Sequence, residues 1–377
     1  MEIVCRREDL VFGVRTVSHA LGGRTAMPIL GGIRCQGEGT GVELTATDLE
    51  RSIRCRIPAQ VNGAGSVVLP GQVLSQLVGR LPEAETVKLQ EEDGQARLTC
   101  GRARFNLLTL PSDEFPAGAR PEGKPVGNMS LPALLQGISQ TTFAALRASE
   151  TTRLALTGVN IVLRDGAAKL AATNGYRLAI KKVPVDGLAE DYEGSFLVDA
   201  TALGDLSRVL GGVSEEEVAV YTDAGQLHFA AGPVFFSCRT IQEQFPDFER
   251  VVPKDSEIGL FAPRAELLDT LRRLELFAAE ESGAVNLKVA GPELELAAAS
   301  KDKGQGQESV QLLKTPQKSM EIAFRAEYLI DALRRMESDQ VALWLSAPER
   351  AGLIEPAGEI AAGDEGFIYV CMPVRLL

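Results

Sequence analysis

What this chain has least of is the equipment for a reaction. Among its 377 residues only two are histidines, His19 and His228, so a metal site or a Ser-His-Asp or Cys-His relay would have to use one of them, with no supporting signature around either. The six cysteines (Cys5, Cys35, Cys55, Cys100, Cys238, Cys371) are scattered and form no Cys-x-x-Cys. With no export signal they read as reduced, mostly buried thiols of a cytoplasmic protein. No apolar run approaches the roughly 20 residues of a membrane span, and the opening MEIVCRREDL is too charged for a secretory segment. GxGxxG, HExxH and GxSxG are all missing. One stretch, Gly118-x-x-x-x-Gly123-Lys124-Pro125, imitates a phosphate loop, but proline stands where a magnesium-holding hydroxyl belongs and the surroundings are a Pro-rich linker. No catalytic centre, metal site or cofactor is predicted. Positive charge is also in deficit, with a formal net charge of −12. That weighs against a surface that grips phosphates everywhere, although a sum does not say where the basic residues face.

What is present is repetition. A chain of this length exceeds one comfortable core. Residues 69–82 (LPGQVLSQLVGRLP), 198–212 (VDATALGDLSRVLGG) and 324–336 (FRAEYLIDALRRM) share one pattern: a strand end, a polar or acidic cap region, then leucines at helical spacing. A second helix recurs at 7–21, 132–145 and 263–279, twice opening on a proline at a plausible first helical position. Unit ends recur at 105–116 (FNLLTLPSDEFP), 236–246 (FSCRTIQEQFP) and 368–375 (IYVCMPVR). Linkers are expected near 117–127 and 252–257. The chain therefore reads as three homologous units of about 125 residues, each with two helices and many short strands.

The stretch 171–179 (AATNGYRLA) carries the strongest local signal. Asn174-Gly175 is a tight-turn dipeptide, because a two-residue hairpin turn wants positive φ at both central positions. Strand–turn–strand follows, with Thr173, Tyr176 and Arg177 gathered at one end. The element recurs at 46–50 (ATDLE) and 299–302 (ASKD).

Six segments in order, 21–30 (LGGRTAMPIL), 45–50 (TATDLE), 101–116 (GRARFNLLTLPSDEFP), 172–179 (ATNGYRLA), 245–254 (FPDFERVVPK) and 369–376 (YVCMPVRL), resemble the beta sliding clamps of bacterial DNA polymerase III from end to end. The resemblance implies an α+β fold of three clamp domains (1–120, 121–250, 251–377), each with two helices packed on antiparallel sheets. It implies a head-to-tail homodimer whose six domains ring duplex DNA and tether the polymerase. Size agrees: a domain of this length has a radius of gyration of about 14 Å, and six such spheres in a ring leave a hole of about 18 Å radius where three leave about 3 Å.

Sliding needs phosphate contacts without base contacts. The resemblance places Arg24 near the DNA, and Arg80, Arg147, Arg208 and Arg272 lie on or beside the proposed lining helices. It also implies a cleft that takes a peptide with a Gln and a bulky apolar pair, formed by Leu156, Thr173, Gly175, Tyr176, Arg177, Leu178, Pro246, Arg250, Val251, Val370, Met372, Pro373, Val374, Arg375 and Leu376. Partners implied are double-stranded DNA, the polymerase alpha subunit, the clamp loader delta subunit, other polymerases and mismatch-repair proteins; no membrane is involved. Arg102, Arg104, Phe105 and Leu107 match one side of the dimer contact, and Leu274 and Phe277 the other. The acidic cluster expected to face those arginines keeps little beyond Glu308. Two other classes stay open at this point: a hydrolase using Ser, Asp and His228, and a β-rich module for a small ligand.

Overall fold

A computed structural model of the chain describes residues 1–23, 27–92, 94–116, 118, 121, 123–223 and 225–375. The described residues fall into two compact bodies. The first comprises residues 1–131 and 205–240, the second residues 132–204 and 241–377.

The first body holds a five-stranded sheet in the order Gln60–Asn62, Glu2–Arg6, Thr86–Glu92, Gln95–Cys100, Ala103–Leu108. It also holds an eight-stranded sheet, ordered Gly127–Ser130, Glu217–Asp223, Gln226–Ala231, Val234–Arg239, Arg51–Pro58, Gly41–Thr47, Gly32–Glu38, Gly65–Pro70. Helices α1 (Arg7–Ser18) and α2 (Gly71–Val78) bury Leu10, Val14, Val17, Leu74 and Val78, one apolar stripe each, as their spacing requires.

The second body repeats the scheme. Its eight-stranded sheet runs Gly194–Asp199, Gly158–Arg164, Ala167–Thr173, Arg177–Pro184, Phe367–Cys371, Gly352–Ala357, Gln340–Leu345, Ile258–Pro263. Its four-stranded sheet runs Gly304–Gln311, Glu293–Ser300, Ala284–Ala290, Met320–Arg325. Helix α3 (Leu131–Thr142) enters this body after its first residue, and α4 (Ala200–Leu210) begins here; α5 (Arg264–Glu275) and α6 (Ala326–Leu333) complete the set. Asp199 caps α4, its Oδ1 accepting from the N–H groups of Thr201 and Ala202 at 2.8 and 3.2 Å.

The threefold repeat is visible in hydrogen bonds. The N–H groups of Leu110, Ile241 and Val374 donate to the carbonyls of Val68, Leu197 and Ala323 at 2.9, 2.7 and 2.8 Å. Strand register corrects the sequence alignment by one residue at the end of the chain. Phe236 faces Ile53 and Tyr369 faces Ala179, so Tyr369, not Ile368, is the counterpart of Phe105 and Phe236.

Helix ends also differ from expectation. Residues 263–279 give a helix only over Arg264–Glu275, with Pro263 closing the preceding strand and capping α5; Pro132 is the second residue of α3, not the first. Beyond α5 the chain continues in i→i−3 turns, Phe277 to Leu274 and Ala278 to Glu275. Apolar spacing persists there although the helix has stopped.

Two of the edge strands have repeat counterparts that are paired on both sides. Ala103–Leu108 ends the five-stranded sheet and Gly304–Gln311 ends the four-stranded one. By the repeat, the first corresponds to Val234–Arg239 and Phe367–Cys371, the second to Arg51–Pro58 and Arg177–Pro184. Those counterparts pair with each other inside the two eight-stranded sheets.

Candidate functional site

The hairpin over residues 173–178 is held by its own side chains. Thr173 Oγ1 donates to the Arg177 carbonyl at 2.6 Å and accepts from Gly175 N–H at 3.0 Å. Asn174 Oδ1 accepts from the N–H groups of Tyr176 and Arg177 at 2.9 and 3.0 Å. Positive φ falls on Gly175 alone, at 90°. The loop is therefore an Asx-stabilised turn of four residues between Thr173 and its pair Leu178, not the two-residue turn that Asn-Gly suggests.

Arg177 is the buried centre of this end. Its guanidinium donates to Asp331 at 2.8 Å and to the Phe143 carbonyl at 2.6 Å, and it lies 4.6 Å from the Tyr328 ring centroid and 5.3 Å from that of Phe143. Tyr369 donates its hydroxyl to the Tyr328 carbonyl at 2.9 Å, and burial pushes its pKa up. Burial likewise lifts the Cys371 thiol to about 12.

Of the predicted cleft residues, Thr173, Gly175, Tyr176, Arg177, Leu178, Val370 and Met372 gather here. Leu178 and Val370 are buried with Ala171, Ile180 and Phe248, and Phe245, Val252, Ala351, Leu353 and Ile368 pack around them. These two form the floor. Tyr176, Met372 and Val251 are exposed apolar groups above it, at 66, 43 and 57%. The tail is tied down by Met372 N–H donating to the Tyr176 carbonyl at 2.8 Å. Leu156 ends a short 3₁₀ turn, Pro246 is exposed, and Arg250 points outward in an ion pair with Asp247 at 2.7 Å. Pro373, Val374 and Arg375 line a groove of about 470 Å³ with Glu321, Ala323, Pro348, Glu349 and Met372. Leu376 lies outside the described residues. Missed from sequence were Phe245 and Phe248, although both stand in the quoted FPDF, and the partners of Arg177.

The predicted dimer residues differ in exposure. Leu107 is buried under the sheet, and Leu108, one pleat position on, is 73% exposed; Arg102 and Arg104 are exposed and Phe105 half-buried. On the other side Leu274 is buried and Phe277 half-buried. Both pack beneath Gly306, where a Cβ would come within 3.0 Å of each, and Leu276 is the exposed apolar residue. Glu308 is engaged by Arg273, at 2.6–3.1 Å.

Of the DNA candidates, Arg208, Arg272 and Arg147 are exposed and pair with Asp205, Asp269 and Glu150 three residues away. The Arg272 and Arg147 pairs are surface pairs, of a kind that contributes little, whereas Asp205 is buried and also held by Arg51. Arg80 is exposed and makes no ion pair among the described residues. Arg24 lies outside them. In the first body Arg7, Arg15, His19 and Arg208 gather round a groove of about 410 Å³ with Glu8 and Phe12.

The hydrolase alternative fails on geometry. His228 Nδ1 lies 2.8 Å from Ser237 Oγ, yet His228 is fully buried and Ser237 nearly so. His228 Nε2 has no acid to orient it, and burial holds its pKa below the ordinary value. A nucleophile beyond reach of substrate, beside an unoriented base, cannot work. Among the described residues no three His, Cys, Asp or Glu side chains are placed to hold a metal, and no helix is long and apolar enough to cross a membrane.

Three like domains, joined through sheet edges, define a clamp-type scaffold. The chain belongs to the DNA polymerase III beta subunit family, matching its N-terminal domain over residues 1–119, its central domain over 129–247 and its C-terminal domain over 249–375. It is 30% identical over its whole length to the beta sliding clamp of Synechococcus elongatus, which it also covers fully. With that of Staphylococcus aureus it shares 28% identity, covering 100% of this chain and 99% of the relative. The crystal structure of the DNA polymerase sliding clamp from Bacillus subtilis superposes with a TM-score of 0.92 at 28% identity, and that of the DNA polymerase III subunit beta from Pseudomonas aeruginosa with 0.91 at 26%; each pair covers both chains fully. The family is one of sliding clamps, not of catalysts.

Proposed function

We propose that this protein acts in the cytoplasm as a homodimeric ring of six domains, bounded at residues 120 and 250 in each chain, that encircles duplex DNA and keeps a replicative polymerase on it. One observation carries the proposal. The unpaired edges Ala103–Leu108 and Gly304–Gln311 are the repeat counterparts of strands that pair twice within the chain. An open edge is a hazard unless something covers it, and a second copy offers the matching strand. Arg102, Arg104, Phe105 and Leu108 would meet the strand backed by Leu274 and Phe277. Arg24, Arg80, Arg147, Arg208 and Arg272 would touch DNA phosphates, and the acidic surplus would keep DNA off the outside.

Polymerases, the clamp loader delta subunit and mismatch-repair proteins would dock an extended peptide in the cleft. Leu178, Val370, Met372 and Val251 receive its bulky apolar pair, and the polar groups by Gly175 and Arg250 receive its Gln. Sedimentation tests the ring. The expected result is a species near 80 kDa at micromolar concentration, and for Leu108→Glu a dissociation constant raised at least tenfold. After loading, the wild type is retained on circular but not linear DNA. Strictly monomeric wild-type protein would sink the proposal.

A further inference from the structure

The four-stranded sheet carries, on the face away from α5, a trough of about 780 Å³, within the range of pockets that bury a drug-sized ligand. Its floor is small: Ala284, Ala297 and Ala299, flanked by Gln305 and Gln307. Ala299, Gln305 and Gln307 are exposed. The repeat identifies this face. Ala171 pairs with Ile180 in the central domain and Ala297 with Gln307 in the last. The central face lies under Phe245, Phe248 and Val252, a segment of the chain itself that makes a 3₁₀ turn at Phe248–Arg250. In the last domain the same face is floored for a chain segment and stands open.

Three groups in the trough have bonding capacity to spare among the described residues. Asn286 donates through Nδ2 to Glu321 at 2.5 Å, while its Oδ1 is shielded from solvent and receives no donor. Arg375 on one wall and Glu281 on another make no ion pair among the described residues. Arg375 also lines the groove shared with Met372, Pro373 and Val374, so the trough and the tail of the cleft border one residue.

We propose that the trough is the second half of the docking site, and that it takes an extended segment of the same partner polypeptide. A carboxylate side chain of that segment meets Arg375, an N–H meets Asn286 Oδ1, a basic side chain meets Glu281, and one bulky apolar side chain lies on the alanine floor. The inference rests on the cleft reading, and the experiment separates the two. Calorimetry compares three synthetic peptides on the full-length protein: a short one with a Gln and a bulky apolar pair, the same peptide continued at either end by a segment containing Asp, Phe and Lys, and that segment alone. Each is titrated into wild type, Ala297→Phe and Ala299→Phe, which fill the floor from outside the cleft.

The continued peptide is expected to bind wild type at least tenfold more tightly than the short one, and to lose that gain in both variants while the short peptide binds all three proteins alike. Equal affinity of short and continued peptides for wild type, or a gain that survives both fillings, overturns the trough. Failure of the short peptide beside binding of the segment alone overturns the cleft and leaves the trough. A shift of either filled variant to monomer in sedimentation gives the face to the contact between copies and also overturns the inference.

Discussion

Two hairpins of this molecule are built alike and face different worlds. Thr47 and Thr173 each donate to the carbonyl of the arginine four residues on, at 2.8 and 2.6 Å. Asp48 and Asn174 each accept two backbone N–H groups. Leu49 takes φ 78° where Gly175 takes 90°, and Arg51 and Arg177 each reach an aspartate 154 residues further on, Asp205 and Asp331. What lies beside them diverges. Tyr176, Leu178, Val370 and Met372 occupy the positions that Glu50, Ser52, Ser237 and Arg239 hold in the first body, where they line a polar cavity of about 250 Å³. The backbone is a common frame. The docking capacity proposed for the second hairpin would sit in a few side chains laid on it.

The largest effect that would break this comparison concerns the two arginines. Arg177→Ala is expected to cost about 3 kcal/mol, because it strips a buried partner from Asp331 and empties the space between two rings. Arg51, more exposed than Arg177, should cost clearly less. Urea midpoints of the two variants read the difference, and equal losses would mean that the frames are not used differently. Next comes the exchange of surfaces. Tyr176→Glu with Met372→Arg gives the second hairpin the residues of the first, and peptide affinity should fall at least tenfold, about 1.4 kcal/mol, with sedimentation unchanged. Undiminished binding in calorimetry would place the docking capacity elsewhere.

The smallest effect is acid sensitivity in the first body. Burial depresses the His228 pKa, so below about pH 6.5 the unfolded chain binds a proton that the folded one refuses. Stability present above that pH is lost as pH falls, by at most about 1.4 kcal/mol per unit. Thermal unfolding of wild type and His228→Gln between pH 7 and 5 should diverge, the variant showing the shallower slope.

The repeat and its helices were legible because apolar spacing survives threefold divergence. The turn was legible at Gly175 from its dipeptide, and at Leu49 only through the repeat, since an Asx turn there holds a non-glycine residue at positive φ. That Leu108 and not Leu107 is exposed was not legible, because alternation gives a strand its period while which phase faces the core depends on packing from another element. The Arg273–Glu308 pair was invisible for the same reason. The Arg177–Asp331 contact could have been found, since its 154-residue spacing is that of Arg51 and Asp205.

In the proposed dimer the open strands at Ala103–Leu108 and Gly304–Gln311 would make the joint between copies heterologous, the start of one chain meeting the end of the next. Nothing in such a joint would count to two; only the rotation from one copy to the next would. A substitution that changed that rotation while sparing both edges would therefore yield open filaments lengthening with concentration, rather than single subunits. Closure of the rotation would then be what separates a replication factor from a fibre.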